Sequence, residues 1–64
     1  MDIINVLRSL KFNDYVLSLK IKTEPRNRRN LFFLSWDEKN KIGTFIENKN
    51  FLFIHSAEIE TIEL

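Results

Sequence analysis

The chain has 64 residues, with ten Lys and Arg side chains against nine Asp and Glu and a net charge of +1. This length predicts a single domain, and the small net charge excludes a strong overall attraction to nucleic acid. Without cysteine there is neither a disulfide nor a thiolate metal site. Since we find no secretory signal and no run of about 20 apolar residues, we expect a cytoplasmic protein that does not enter the membrane.

The N-terminal segment predicts a helix over about residues 3–12. Asp2 is a favourable N-cap, and Asn13 and Asp14 are expected to end the helix because such residues favour turns. Between these limits, apolar side chains recur at helical spacing, at Ile3, Ile4, Val6, Leu7 and Leu10.

The rest of the chain predicts five short strands separated by polar gaps. We expect the strands at about residues 15–23, 31–36, 41–47, 51–55 and 58–63. The first strand has the clearest period of two, and its predicted buried face holds Tyr15, Leu17, Leu19 and Ile21. The segment from Asn48 to Asn50 favours a tight hairpin, and Ser56-Ala57 favours a short break with one helical turn.

Two strands depart from simple alternation. Residues 31–36 are apolar on both faces except at Ser35. One face of this strand holds Phe32, Leu34 and Trp36, and the other holds Leu31 and Phe33. One of these sets therefore requires a cover, which is the helix, another subunit or a ligand. In the last strand Ile59 and Ile62 are out of phase, which indicates a β-bulge.

These elements predict a mainly β fold, in which a short N-terminal helix precedes a five-stranded antiparallel meander that closes into a small barrel. The order resembles the Sm-like fold, which includes the Hfq family, and more loosely the SH3-like barrels. The best local match is FIHSAEI at residues 53–59, which is similar to the run that joins the last two strands in Hfq. Ile54 stands where that run has a lysine. The resemblance implies RNA binding or ring assembly and assigns no ligand-contacting residue.

The longest polar gap, residues 24–30, holds three of the four arginines. Residues 1–30 carry seven bases and three acids, a balance of +4, whereas residues 31–64 carry three bases and six acids, a balance of −3. Arginine binds phosphate well, and asparagine hydrogen-bonds to base edges. The leading hypothesis is a non-enzymatic module that binds nucleic acid through this basic loop, with RNA preferred over DNA because of the Sm-like resemblance. Its predicted contacts are Lys20, Lys22, Arg26, Asn27, Arg28 and Arg29.

Other functions stay open. The basic loop is also compatible with a solvated loop that has no partner, and a homo-oligomer is plausible. A protein-interaction module, such as a phage- or mobile-element-type regulator or inhibitor of a host protein, would use spare apolar side chains. Its predicted interface holds Phe33, Leu31, Ile59 and Ile62. The single His55 lies beside Ser56 without a sequence pattern for an orienting acid, so we expect no enzyme, no metal and no cofactor.

Overall fold

A computed structural model describes residues 2–64 and shows one short helix followed by five antiparallel strands. The elements are helix α1 at Ile3–Ser9 and strands β1 at Tyr15–Ile21, β2 at Arg28–Asp37, β3 at Ile42–Glu47, β4 at Asn50–His55 and β5 at Ile59–Glu63, with a 3-10 helix at Ser56–Glu58 between the last two strands. The mainly β fold class is confirmed. No helix among the described residues has the length and apolar character needed to cross a membrane.

The helix begins where its cap predicts and ends earlier than expected. The Oδ1 atom of Asp2 accepts a hydrogen bond from the backbone N–H of Ile4 at 3.0 Å, which satisfies one of the free donors of the first turn. Beyond Ser9 the carboxylate of Asp14 accepts the N–H of Lys11 at 2.8 Å. This local bond competes with helical hydrogen bonding, and residues 11–14 form a turn closed by the Asp14 N–H, which donates to the Lys11 carbonyl at 3.0 Å.

The sheet is open at both ends. Its strand order is β4-β3-β2-β1-β5, and all neighbouring pairs are antiparallel. The edge strands β4 and β5 are not paired with each other, so the predicted closure into a continuous barrel is not observed. A five-stranded antiparallel sheet with a short helix remains compatible with a small barrel-like fold.

A bulge in β2 changes which aromatic side chains share a face. The pairing of β2 with β3 shifts between Phe33 and Ser35, which leaves Leu34 as an extra residue. Phe33 and Trp36 therefore pair with β3 residues two positions apart and lie on one face. The prediction that Trp36 lies on the same face as Phe32 is wrong, because strict alternation takes no account of a bulge.

A second bulge lies in β5. Lys20 pairs with Thr61 and Ile21 pairs with Ile59, so the β5 residue between them has no separate partner. The extra residue brings Ile59 and Ile62 into the core together, and both are buried. The bulge predicted from their phase is confirmed.

The core lies between α1 and the inner face of the sheet. Its buried apolar residues are Leu7, Val16, Leu19, Ile21, Leu31, Phe33, Phe45, Ile54, Ile59 and Ile62. In β1 the predicted buried face is wrong at Tyr15 and Leu17, which are exposed, and right at Leu19 and Ile21. The first half of β1 packs through Val16 instead, so the buried face changes within the strand. A period of two does not predict such a change.

Gly43 lies where the helix meets the sheet. A Cβ atom at this position would lie 3.1 Å from Cε1 of Phe45 and 3.5 Å from Cδ2 of Leu7. Both neighbours are fully buried, and Phe45 also makes an edge contact with Phe33, with 5.6 Å between ring centroids. The missing side chain therefore makes room for the central ring of the core.

A polar cluster fixes α1 to the turn between β2 and β3. The guanidinium of Arg8 donates to both carboxylate oxygens of Glu38, at 2.8 and 2.7 Å. Trp36 Nε1 donates to the same carboxylate at 2.9 Å, and Lys41 Nζ donates at 2.5 Å. These donors, Arg8 first, hold the pKa of Glu38 well below its usual range.

Gly43→Ala is expected to lower the free energy of unfolding by about 1–3 kcal/mol, the usual cost of overpacking a core. Phe45→Leu removes the ring atom that the new methyl group would meet. The double variant should therefore lose less stability than the sum of the two single variants. Urea unfolding followed by circular dichroism measures all three, and strictly additive losses would contradict the proposed clash.

Glu38→Gln is expected to be less stable than the wild type at about pH 7 and equally stable in strong acid. Because the folded-state pKa of Glu38 is lowered, its contribution is present above the unfolded value of about 4.3 and is lost as the pH falls through the folded value. Urea unfolding at several pH values measures the difference, with Glu60→Gln on exposed β5 as the control. A stability difference independent of pH would show that ionisation of Glu38 is not involved.

Candidate nucleic-acid interface

The central arginine of the predicted basic loop binds two carboxylates of its own chain. Arg28 Nε and Nη2 donate to the two oxygens of Glu24, each at 2.9 Å, and Nη1 donates to Glu47 Oε1 at 2.5 Å. Its hydrogen bonds to Glu24, and then to Glu47, raise the pKa of Arg28, and the same contact lowers the pKa of Glu24. Arg28 lies in β2 and not in the loop. The prediction that it is a free phosphate ligand is therefore corrected.

Lys20 is also used within the chain. Its Nζ donates to the backbone carbonyl of Ile21 at 3.1 Å and to that of Glu24. These bonds close the turn between β1 and β2, where backbone carbonyls have no strand partner. The predicted continuous basic strip from β1 to the loop is thus interrupted at Lys20.

Four of the predicted contacts remain exposed at this end of the sheet. They are Lys22, Arg26, Asn27 and Arg29. Among residues 2–64, none of these side chains takes part in an ion pair. Arg29 pairs through its backbone with Ser18 in β1, so a strand and not a mobile loop sets its position.

Arg29 lies beside an open groove of about 470 Å³ at the ends of β2, β3 and β4. The groove is lined by Arg29, Asn30, Glu47, Asn48 and Asn50. Glu47 pairs with Asn50 across a two-residue turn, and Asn48 and Lys49 adopt φ angles of 49° and 69° there. Positive φ at both turn residues matches the right-handed twist of a hairpin, so the tight hairpin predicted at this segment is confirmed.

The chemistry of this groove suits an anionic polar ligand. Arg29 offers a planar set of donors, and the three asparagine amides both donate and accept hydrogen bonds. The one acid in the lining, Glu47, is already bound by Arg28, which offsets its negative charge. The sequence analysis interpreted Asn48 and Asn50 only as turn residues, whereas Asn30 was expected in the basic loop beside the arginines. The sequence signal for the groove is its asparagine content, with Asn27 and Asn30 on either side of Arg28 and Arg29 and a second pair at Asn48 and Asn50.

The predicted protein interface is wrong. Phe33, Leu31, Ile59 and Ile62 all lie in the core, with no more than 3% of each residue exposed. Leu31 and Phe33 face the core by ordinary alternation along β2, and the bulge in β5 brings Ile59 and Ile62 inward together. Sequence alternation identified two faces in β2 but did not show which of them the helix covers.

Four exposed aromatic side chains lie instead on the outer face of the sheet. Tyr15 pairs with Phe32, Phe32 with Ile46, and Ile46 with Phe51, which forms one row across four strands. Paired residues in antiparallel strands point to the same face. Phe53 lies two residues further along β4, and its ring stacks on that of Phe51 at a centroid distance of 6.4 Å. We call Tyr15, Phe32, Phe51 and Phe53 the aromatic face.

His55 caps the 3-10 helix. Its Nδ1 atom accepts the backbone N–H of Ala57 at 3.0 Å, so this ring has a structural partner. Within residues 2–64, no group of three or more His, Asp and Glu side chains is placed to hold a metal ion.

Comparison of the chain with protein-family models, with curated proteins and with solved structures gave no match. The resemblance to Sm-like proteins therefore depends on the order of the elements and on the segment at residues 53–59.

Two adjacent arginines are expected to behave differently when replaced. Arg28→Ala should lower the free energy of unfolding by about 1–3 kcal/mol, since it removes hydrogen bonds to charged groups. Arg29→Ala should change it by no more than about 0.5 kcal/mol, as is usual for an exposed side chain. Urea unfolding of both variants tests this contrast. Equal losses would show that the contacts of Arg28 with Glu24 and Glu47 do not contribute to stability.

Proposed function

We propose that this chain is a non-enzymatic module that binds nucleic acid, RNA more than DNA. Binding would use the groove and the exposed lysine and arginine side chains beside it. The observation that carries the proposal is the position of Arg29 in an open groove with three asparagines. Such a set supplies a charged donor for phosphate and amides for base edges. The proposed site is thus a groove formed by strands, and the loop contributes only its exposed basic side chains.

The charges at this end of the sheet support the proposal. Lys22, Arg26, Arg29 and Lys49 are exposed. The two acids that lie among them, Glu24 and Glu47, are both bound by Arg28. Arg28 thus acts indirectly, because it offsets the acids that would otherwise weaken attraction to a phosphate backbone.

The preference for RNA depends on the Sm-like resemblance, and a small Sm-like or SH3-like barrel is part of the proposal. The observed helix, the five antiparallel strands in meander order and the 3-10 helix before β5 support it.

A second candidate function is protein interaction, as in a phage- or mobile-element-type regulator or a homo-oligomer. The observation that favours it is the pair of sheet edges, since β4 and β5 each have a strand neighbour on one side in the described chain. An added strand from a partner would pair with either edge.

Replacement of the free arginines should weaken binding and reduce its dependence on salt. For labelled single-stranded RNA and DNA, the double variant Arg26→Ala with Arg29→Ala should lower the slope of log K against log salt by about 1 to 2, since each lost phosphate contact lowers it by about 1. Fluorescence anisotropy at several salt concentrations measures this slope. Lys39→Ala is the matched control, because Lys39 is an exposed basic residue at the opposite end of the sheet.

An unchanged slope in the arginine variant would contradict the assigned site. No detectable binding of the wild type to RNA or DNA at low salt would reject the function itself. In that case, concentration-dependent self-association in sedimentation experiments would favour the second candidate.

A further inference from the structure

The aromatic face leaves a large apolar surface in contact with solvent. The exposed fractions are 45% for Tyr15, 38% for Phe32, 64% for Phe51 and 69% for Phe53. A single exposed ring needs no explanation, but a contiguous set across neighbouring strands is typical of a binding surface. Nothing in the core requires these rings, because the helix packs on the opposite face of the sheet.

The rings contact one another in two pairs. Tyr15 and Phe32 make an edge contact, with 5.6 Å between ring centroids and 61° between ring planes. Phe51 and Phe53 lie at 30° to each other in a stacked arrangement. Between these two pairs, β3 contributes Ile46 and Thr44 to the same face. The surface is therefore an uncharged platform about three strand spacings wide, or roughly 14 Å.

The aromatic face is continuous with the groove described above. The hydroxyl of Tyr15 donates to Oδ1 of Asn30 at 2.5 Å, and Asn30 lines the groove beside Arg29. One ligand can therefore contact the rings and the arginine together.

We propose that the aromatic face stacks the bases of a single-stranded nucleic acid while its phosphates lie in the groove beside Arg29. The inference depends on the proposed function and names its substrate class. Rings on a sheet provide stacking surfaces for unpaired bases, whereas the bases of a duplex are already stacked on each other. A sheet of four strands with such rings commonly stacks two or three bases. The positive charge lies beside the platform, where it can contact the phosphates of a strand whose bases stack on the rings.

The test uses fluorescence anisotropy with labelled oligo(U), oligo(dT) and a duplex, each of about 12 nucleotides, within the range of known site sizes. Phe51→Ala and Phe53→Ala should each bind oligo(U) between about 5-fold and about 100-fold more weakly, with an unchanged salt slope. Phe51→Tyr and Phe53→Tyr keep the ring and should bind like the wild type. Phe12→Ala is the matched control, because Phe12 is exposed but lies in the turn before β1. The duplex should bind more weakly than either single strand.

The failure of this inference is distinguishable from failure of the proposed function. If the alanine variants bind as tightly as the wild type while the arginine variant does not, or if the duplex binds as tightly as the single strands, the stacking role is overturned and the groove stands. If the wild type binds no nucleic acid, both are overturned. Sedimentation of the wild type as an oligomer that Phe51→Ala converts to a monomer would assign the face to a second copy and overturn stacking. Urea unfolding checks that each variant is folded.

Discussion

The packing around Phe45 is the constraint on which the rest of this small structure depends. Phe45 fills the centre of the core against Phe33 and Leu7, and Gly43 leaves room for its ring. A chain of this length has space for few large side chains in its interior. Of its six phenylalanines, the core holds only Phe33 and Phe45. The other rings are therefore left for the surface, and the pairing of the strands decides where they gather.

Strand pairing places three of them, Phe32, Phe51 and Phe53, on one face of the sheet, while the two bulges bring other apolar residues to the opposite face. The bulge at Leu34 brings Trp36 to the helix side, where it packs against the core. The bulge in β5 turns Ile59 and Ile62 inward together. With these residues inside, the outer face of β2, β3 and β4 keeps a row of apolar side chains that the helix does not reach. The apolar surface is thus a consequence of how the core is completed.

Arg28 connects the fold to the candidate site. It joins the β1–β2 turn, through Glu24, to the β3–β4 hairpin, through Glu47. The contact with Glu47 also offsets the charge of the only acidic residue that lines the groove. The neighbouring Arg29, in contrast, is exposed and lines the groove. Adjacent residues of one type therefore have different environments, since Arg28 is paired with two carboxylates and Arg29 is exposed.

The sequence was sufficient to predict those features of the fold that depend on neighbouring residues. Asp2 marked the start of α1, the asparagines at 48 and 50 marked the hairpin, and the spacing of Ile59 and Ile62 marked a bulge. It was insufficient where the outcome depends on which distant residues meet. The pairing of Arg28 with Glu47 joins positions 19 residues apart, and no pattern within the loop indicates it. The burial of Leu31 and exposure of Phe32 likewise depend on which face receives the helix.

The exposure of the aromatic face has an energetic consequence that bears on its role. Full burial of one phenylalanine contributes about 1.5–3 kcal/mol, and a domain of this size keeps only about 3–5 kcal/mol of net stability. Phe51 and Phe53 lie on an edge strand, where apolar side chains also favour unwanted strand pairing. Lysine and asparagine at the adjacent hairpin oppose such pairing but do not cover the rings. If the proposed ligand covers these rings, their burial supplies apolar contact that the core does not, and the ligand should raise the free energy of unfolding in proportion to its affinity.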